Sequence, residues 1–327
     1  VLTRIPSSPP VIPPVSTNEA RPLWSVMIPV YNCAGYLPET LESVLQQALP
    51  AEEMQIEVID DASTDADVEN LVRRLGRGRV KYYKQPENVG SLRNFETCIN
   101  RANGTLVHIL HGDDRVLPGF YQKMGNLFKD FPDAGAALCR FRYIDEKGRW
   151  LYDQTLESPE DGILQNWLTR VAVRNPSQYA ATVVKREVYE KLGSFYGLTY
   201  GEDWEMWVRI AKHYLVAYTP EILADYRKHL TSISSNTFLT GQNSQDMLKV
   251  MELIQDLLPP EHRKEVLQKS KKFYAHYGIR VANQVWHSVQ SKEGVKAQIR
   301  YAWGMHFDPQ LLWSTAKVYF KMTFNIT

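Results

Sequence analysis

Four places in this chain gather side chains that could do chemistry. In "HILHGDDRVLPGF" (108–120) an apolar run ends in two adjacent aspartates, Asp113 and Asp114. Like charges side by side repel, so the pair calls for a partner. One aspartate can cap the helix that Pro118 and Gly119 introduce. Two beside a second acidic strand end suit a hard divalent ion, which takes one or two carboxylates and completes its shell with substrate phosphates. "VIDDASTD" (58–65) repeats the pattern with Asp60 and Asp61. There Ser63, Thr64 and Asp65 can cap the next helix, and a carboxylate at the strand end can accept the N–H of a nucleobase. "GEDWEMWVRI" (201–210) places Glu202 and Asp203 in a first helical turn. The helix dipole alone accounts for acids there, yet a carboxylate beside tryptophans also suits a general base facing a hydroxyl. In "YRKH" (226–229), Arg227, Lys228 and His229 make either a solvated basic loop or a grip for a diphosphate.

The elements that must hold these residues alternate regularly. Short apolar runs at "WSVMIPVYN" (24–32), "MQIEVIDDAS" (54–63), "VKYYKQ" (80–85) and "TLVHILHGDD" (105–114) read as strands. Between and after them, 36–49, 65–76, 91–104 and 118–132 carry helical spacing, with Pro38 suited to a first turn and Gly76 to a helix stop. This alternation predicts a mainly parallel sheet covered by helices. In such sheets ligands bind at the carboxyl ends of the strands, where Tyr31, Asn32, Asp60, Asp61, Asp113 and Asp114 collect. Beyond residue 135 the pattern is mixed: a strand and hairpin, a strand then a helix, a helix from 201 and a closing strand near 216–229.

Composition sets the outer limits. Among 327 residues, 38 Lys and Arg nearly balance 37 Asp and Glu, so no global charge points to nucleic acid. The three cysteines, Cys33, Cys98 and Cys139, have neither disulfide-framework nor zinc spacing, which fits a reducing compartment. No apolar run reaches the roughly 18–20 residues that span a bilayer. Residues 1–22 are Pro/Ser-rich and read as an extended arm or linker. From about 239 the chain is helical, basic and aromatic: residues 261–327 hold 11 Lys and Arg against 4 Asp and Glu. That tail could serve as a lid, an oligomer contact or a membrane-surface patch.

Taken together, "SVMIPVYN", "VIDDASTD", "NVGSLRNFETCINRANG", "LHGDD", "GEDWEMWVR" and "YRKH..S.S" occur in the order and rough spacing of family 2 glycosyltransferases, and residues 23–235 resemble that family. The resemblance implies a GT-A fold over 23–238: an α/β, Rossmann-like, mainly parallel sheet flanked by helices, with the C-terminal extension at 239–327 appended. It implies an inverting transfer of a sugar from a nucleotide-diphosphate donor, UDP by preference, to an acceptor hydroxyl in glycan, polysaccharide or glycolipid synthesis. Pro29, Tyr31, Asn32, Asp61 and Arg93 would then line the nucleotide, with Asp61 on the base. Asp113 and Asp114 would hold Mn²⁺ or Mg²⁺ on the diphosphate. Asp203 would be the base, and Arg227 and His229 would meet the diphosphate or the metal. The expected partners are a UDP-sugar donor and a glycan or lipid-linked acceptor, with no nucleic acid. The expected location is cytoplasmic, with room for peripheral contact at the inner membrane face through the extension.

One position departs from the family. Many relatives carry an acid two places before the metal aspartate, where this chain has His111. Imidazole favours softer ions than Mg²⁺. A nucleotidyltransferase would show a Gly-rich phosphate loop that "PVYNCAGY" lacks. A nucleotide-sugar-binding module without turnover stays open, because His111 weakens the metal set. A glycosidase needs two carboxylates but not both strand-end clusters.

Overall fold

A computed structural model describes residues 3–15, 20–230 and 232–326. In chain order its elements are β1 (Trp24–Val30), α1 (Leu37–Leu45), β2 (Met54–Asp60), α2 (Val68–Gly76), β3 (Lys81–Lys84), α3 (Ser91–Arg101), β4 (Leu106–Ile109) and β5 (Arg115–Val116). Next come α4 (Phe120–Asp130), β6 (Ala134–Ile144), β7 (Trp150–Asp153), β8 (Gly162–Ile163), α5 (Trp167–Val173), β9 (Thr182–Lys185) and α6 (Arg186–Leu192). The chain closes with α7 (Glu202–His213), β10 (Leu215–Arg227), α8 (Ile233–Thr240), α9 (Gln242–Leu253), α10 (Pro260–Val289), α11 (Lys292–Met305) and α12 (Pro309–Phe324).

Two compact units share these elements. The first comprises 1–165, 176–197 and 213–228; the second comprises 166–175, 198–212 and 229–327. These cuts differ from the boundaries expected at 22/23 and 238/239, because α5 and α7 cluster with the C-terminal helices rather than with the sheet.

All of the sheet lies in the first unit, in the order β3-β2-β1-β4-β9-β6-β10-β5. β3, β2, β1 and β4 run parallel, as do β6 and β10. β9 is antiparallel to both β4 and β6, and β5, β7 and β8 pair antiparallel at the margins. β1, β2 and β4 are buried throughout, which is why β1 and β4 read as near-continuous apolar runs rather than alternating ones, while β3 at the sheet edge is partly exposed. Val26, Ile28, Val58, Leu106 and Leu110 meet Leu37, Leu41, Val44, Phe120 and Met124 from the helices in one core.

Local chemistry explains the helix limits. Pro38 sits in the first turn of α1, where its missing N–H leaves no bond unmade. α2 starts at Asp67, whose carboxylate accepts the Asn70 amide at 3.0 Å. It ends at Gly76, as expected, although the glycine does not itself make the left-handed turn. Gly76 is the last helical residue, needed because a Cβ there would meet Val80 Cβ at 2.8 Å, and Arg77 makes the left-handed turn.

The N-terminal arm is docked along the first unit over 3–15. The Pro6 carbonyl accepts the Gly197 amide at 2.8 Å and the Pro10 carbonyl accepts that of Ser194 at 2.9 Å. Ile12 is buried, and the carbonyl of the next residue, Pro13, accepts the Arg186 guanidinium at 3.2 Å. Residues 1, 2 and 16–19 of the expected arm lie outside the described residues.

The chain enters β4 beside β1 at Gly104, whose amide donates to Ser25 Oγ at 2.7 Å. A Cβ on Gly104 would lie 2.5 Å from the Trp24 carbonyl carbon and 2.6 Å from the Ser25 nitrogen. Backbone cannot step aside as a side chain can, so Gly104→Ala should lower the unfolding free energy by about 2–3 kcal/mol, read as a lower urea midpoint at unchanged m-value.

Candidate active site

β1 lies between β2 and β4 in the sheet, all three parallel, so their carboxyl ends share one edge. The order reverses there, with β2 to one side and β4 to the other, which is where open α/β sheets bind ligands.

Pro29 is buried in β1 and its carbonyl accepts the Gly112 amide at 3.1 Å. Tyr31 and Asn32 leave the strand exposed. Asn32 takes a left-handed backbone (φ 49°) and is held by Ser63 and Thr64. Its amide donates to Ser63 Oγ at 3.1 Å, and its side-chain oxygen accepts the Thr64 amide at 2.8 Å. Asp65 accepts the Ala34 amide at 2.9 Å. Ser63, Thr64 and Asp65, readable as helix caps, instead stitch the loop after β2 to the loop after β1.

The two aspartates after β2 are both buried, and they do different things. Asp60 accepts the Ser63 amide at 2.9 Å and the Tyr82 hydroxyl at 2.6 Å. Asp61 turns to the loop before α3: its oxygens accept the Val89 amide at 2.7 Å, the Gly90 amide at 3.0 Å and the Asn88 side-chain amide at 3.0 Å. Burial raises the Asp61 carboxyl, and the Val89 and Gly90 amides oppose that rise. Asp61 therefore fixes the 88–90 loop at the strand-end edge, with lone-pair capacity on one oxygen still open. Arg93, in the first turn of α3, donates to the Thr3 carbonyl at 2.9 Å and pairs with Glu96 at 2.6 Å. The docked arm thus reaches the expected nucleotide edge.

After β4, one ligand atom each from His111, Asp113 and Asp114 lies within 4.8 Å of the others. Thr40 of α1 shapes this turn, its hydroxyl bonding the carbonyls of Gly112 at 3.0 Å and Asp114 at 2.6 Å. Gly112 must be glycine, since a Cβ would meet Cys33 Sγ and Val30 Cγ2 at 2.9 Å. Burial, then the neighbouring Asp113 charge, pushes the Asp114 carboxyl well above the usual range. His111 stacks on Phe95 and on Tyr179, with ring centroids 5.2 and 4.5 Å away. Burial lowers its pKa, so the ring is neutral near pH 7. Its Nε2 is buried with no hydrogen-bond partner among the described residues. A neutral imidazole with an unused nitrogen beside two carboxylates is a donor set that fits a divalent cation.

Arg227, expected at the diphosphate or the metal, has its guanidinium committed beneath the turn. Nε donates to the Asp113 carbonyl at 2.8 Å, Nη1 to the Glu146 carbonyl at 3.2 Å and Nη2 to Glu39 at 2.8 Å. The Arg227 amide donates to Asp114 Oδ1 at 2.8 Å. With its side chain 0% exposed, Arg227 holds the metal-capable turn in place, because a buried guanidinium must keep every acceptor it has.

Asp203 and His229 belong to the second unit. Gly201, just before α7, has φ +89° and no room for a Cβ, which would sit 2.1 Å from Met247 Cε. Asp203 accepts the Asn175 side-chain amide at 2.7 Å and the Trp204 amide at 2.7 Å. Burial raises its carboxyl to about 6, and the Asn175 bond opposes the rise. Trp204 is core, as its spacing suggests: its indole N–H meets the Val171 carbonyl at 2.6 Å and its ring packs on Tyr274. His229 is buried, and its carbonyl accepts the Ser235 hydroxyl at 2.8 Å.

The sequence profile described as "Glycosyl transferase family 2" matches residues 25–193, just over half of the chain. The chain belongs to glycosyltransferase family 2. Among individual proteins, the putative teichuronic acid biosynthesis glycosyltransferase TuaG of Bacillus subtilis is 27% identical over 241 residues, covering 71% of this chain and 89% of TuaG. An uncharacterized protein of Mycobacterium tuberculosis is 28% identical over 269 residues, covering 75% of this chain and 80% of its own. Among solved structures, Staphylococcus aureus TarS 1–349 in complex with UDP-GlcNAc superposes with TM-score 0.62 at 15% identity over 92% of each chain. The mannosyltransferase PcManGT of Pyrobaculum calidifontis, in complex with GDP-Man and Mn²⁺, superposes with TM-score 0.56 at 18% identity, covering 99% of this chain and 91% of its own. At those identities the likeness concerns the fold, and the fold is GT-A.

Several residues of this glycosyltransferase support the site without a motif of their own. Asn88 opens the NVGSLRNFETCINRANG segment, and only the buried Asp61 carboxylate that it meets shows its use. Thr40, Glu39 and Asn175 carry no sequence signal, since each acts on a partner 28 or more positions away. His111→Phe keeps the aromatic stack and removes the unpartnered nitrogen. Its unfolding free energy in urea should stay level or rise by about 1 kcal/mol. A clear loss would mean that the nitrogen has a partner.

Proposed function

We propose that this glycosyltransferase moves a sugar from a UDP-sugar to an acceptor hydroxyl with inversion, using a divalent ion on the 111–114 turn, in glycan, polysaccharide or glycolipid assembly. The observation that carries this reading is the buried His111 Nε2, without a hydrogen-bond partner among the described residues, grouped with Asp113 and Asp114 at the sheet's switch point. UDP is favoured by the TarS neighbour, solved with UDP-GlcNAc and with UDP. The mannosyltransferase neighbour carries GDP-Man, so the base is the finer point to test.

Tyr31, Asn32 and the loop held by Asp61 are proposed to bind the nucleoside. Their fixed backbone lets the site bind without ordering a loop at that moment. Arg93 stands beside that loop, and its contact with Thr3 ties the arm to donor binding. Asp113, Asp114 and His111 would hold the ion, which when bound neutralises charge on the departing diphosphate. Mn²⁺ suits this set better than Mg²⁺, which asks for oxygen ligands throughout. Arg227 is assigned to positioning Asp113 and Asp114. His229 keeps its place near diphosphate or ion on the family resemblance alone. Asp203 is proposed as the base that takes the acceptor proton. A single displacement needs no side-chain nucleophile, and inversion follows from attack opposite the leaving group.

Calorimetry of UDP and GDP with and without Mn²⁺ tests the donor half. UDP should bind in a Mn²⁺-dependent manner, and Asp113→Ala should weaken that binding by about 10–100-fold. Absence of Mn²⁺-dependent binding of either nucleotide would overturn the metal assignment. Asp203→Asn should lower kcat by about 10²–10⁴-fold with the donor Kd unchanged.

The pH dependence follows from burial of Asp203. A base must be ionised, so turnover should fall as pH drops through about 6, where the carboxyl takes up its proton. The Asn175 bond favours the ionised form. Asn175→Leu should therefore move the acidic limb to higher pH, and a limb that stays put would separate Asp203 from the rate.

A further inference from the structure

The C-terminal helices leave an aromatic face uncovered. On α12, Leu311, Thr315 and Val318 are buried at a spacing of three and four. The opposite stripe, Leu312, Trp313, Tyr319, Phe320 and Phe324, is exposed, with Trp313 at 64%, Phe324 at 63% and Phe320 at 56%. Phe307, 61% exposed, adds to it from the turn after α11. Trp303 bonds the α12 residue Thr315 at 3.0 Å and touches the Phe307 ring, so the two helices present their aromatics together. Scattered exposed apolar side chains are ordinary, but a contiguous stripe of large rings marks an interaction surface.

Charge decides what covers it. Lys317 lies on the same stripe, between Trp313 and Phe320, with its ammonium 5.1 Å from the Trp313 ring. Exposed Lys296 and Arg300 lie two turns and one turn before Trp303 on α11. α12 holds no Asp or Glu. The acid between the helices, Asp308, is already engaged as the α12 cap, accepting the Leu311 amide at 2.7 Å, and by His276 and His306, both at 3.1 Å. A second copy of this face would bring Lys317 against a surface without a carboxylate on α12, which leaves the ammonium desolvated and unpaired. A layer of anionic headgroups offers that charge a partner while rings enter the acyl boundary and lysine stems reach back to the phosphates.

We propose that the exposed face of α12, with Phe307 and the basic side of α11, is a docking surface for an anionic lipid bilayer. No helix among the described residues is long and apolar enough to cross a membrane, so the contact is interfacial. It is independent of the donor reading, since neither helix contributes a residue to that site.

Sedimentation of the full chain with phosphatidylcholine vesicles, with or without about 30 mol% phosphatidylglycerol, tests this. Anionic vesicles should bind at least about tenfold more tightly than neutral ones, with binding weakened by salt. The triple variant Trp313→Ser, Phe320→Ser, Phe324→Ser should lose about tenfold or more, and so should Lys317→Glu with Arg300→Glu. These side chains are exposed, so circular dichroism and UDP binding should match the parent and exclude misfolding as the cause. Equal binding to both vesicles overturns the electrostatic choice. No vesicle binding, or a dimer by light scattering that the triple variant dissolves, overturns the proposal in favour of another occupant.

Discussion

A buried guanidinium organises the metal-capable end of the sheet. Arg227 ends β10 with its side chain enclosed, so each of its nitrogens needs an acceptor, and those acceptors come from three separate segments: Glu39 on α1, the Asp113 carbonyl after β4, and Glu146 in the turn after β6. Breaking such a set leaves a charge without compensation, at about 3–5 kcal/mol. Glu39 also meets Arg115 at 2.8 Å, Arg115 meets Asp225 at 2.7 Å, and Arg142 meets the same carboxylate. The network runs through α1, β5, β6 and β10, so the turn carrying Asp113 and Asp114 is fixed from below. That turn can then present like charges to one another without swinging apart.

The same economy holds on the neighbouring strands. Most carboxylates at the strand ends bind backbone amides rather than open solvent: Asp60 takes Ser63, Asp61 takes Val89 and Gly90, and Asp65 takes Ala34. Charge-assisted bonds to amides are about twice as strong as neutral ones, and they turn three loops into one framework. Acidic residues that look like ligands in a sequence are thus largely builders of the surface a ligand would meet. The docked arm extends the framework, since Thr3 meets Arg93 and Arg4 meets Asn88, itself a partner of Asp61.

His111 shows how one departure from a family pattern can be read in two ways. As a sequence feature it weakens a metal site, because an acid is replaced by a softer donor. In the fold, the ring lies against Phe95 and Tyr179, burial keeps it neutral, and its Nε2 has no partner among the described residues. An orphaned buried nitrogen is unfavourable unless something meets it, which turns the departure into support for a cation.

The alternating strands and helices, the GT-A architecture and the family were legible from the chain alone. Apolar runs and helical spacing follow from burial on a period of 2 or 3.6 residues, and a local pattern suffices to read them. The adjacency of Asp113 and Asp114, and the acids opening α7, were equally local. What the tertiary structure decided depends on partners far apart in sequence. It sent Arg227 into the interior, gave Ser63, Thr64 and Asp65 to loop stitching while Asp67 capped α2, and grouped α5 and α7 with the C-terminal helices. It laid the Pro-rich arm along the first unit and left one face of α12 bare. A side chain's type limits which bonds it can make, but desolvation makes those bonds obligatory, and only the folded chain determines which groups lose their water.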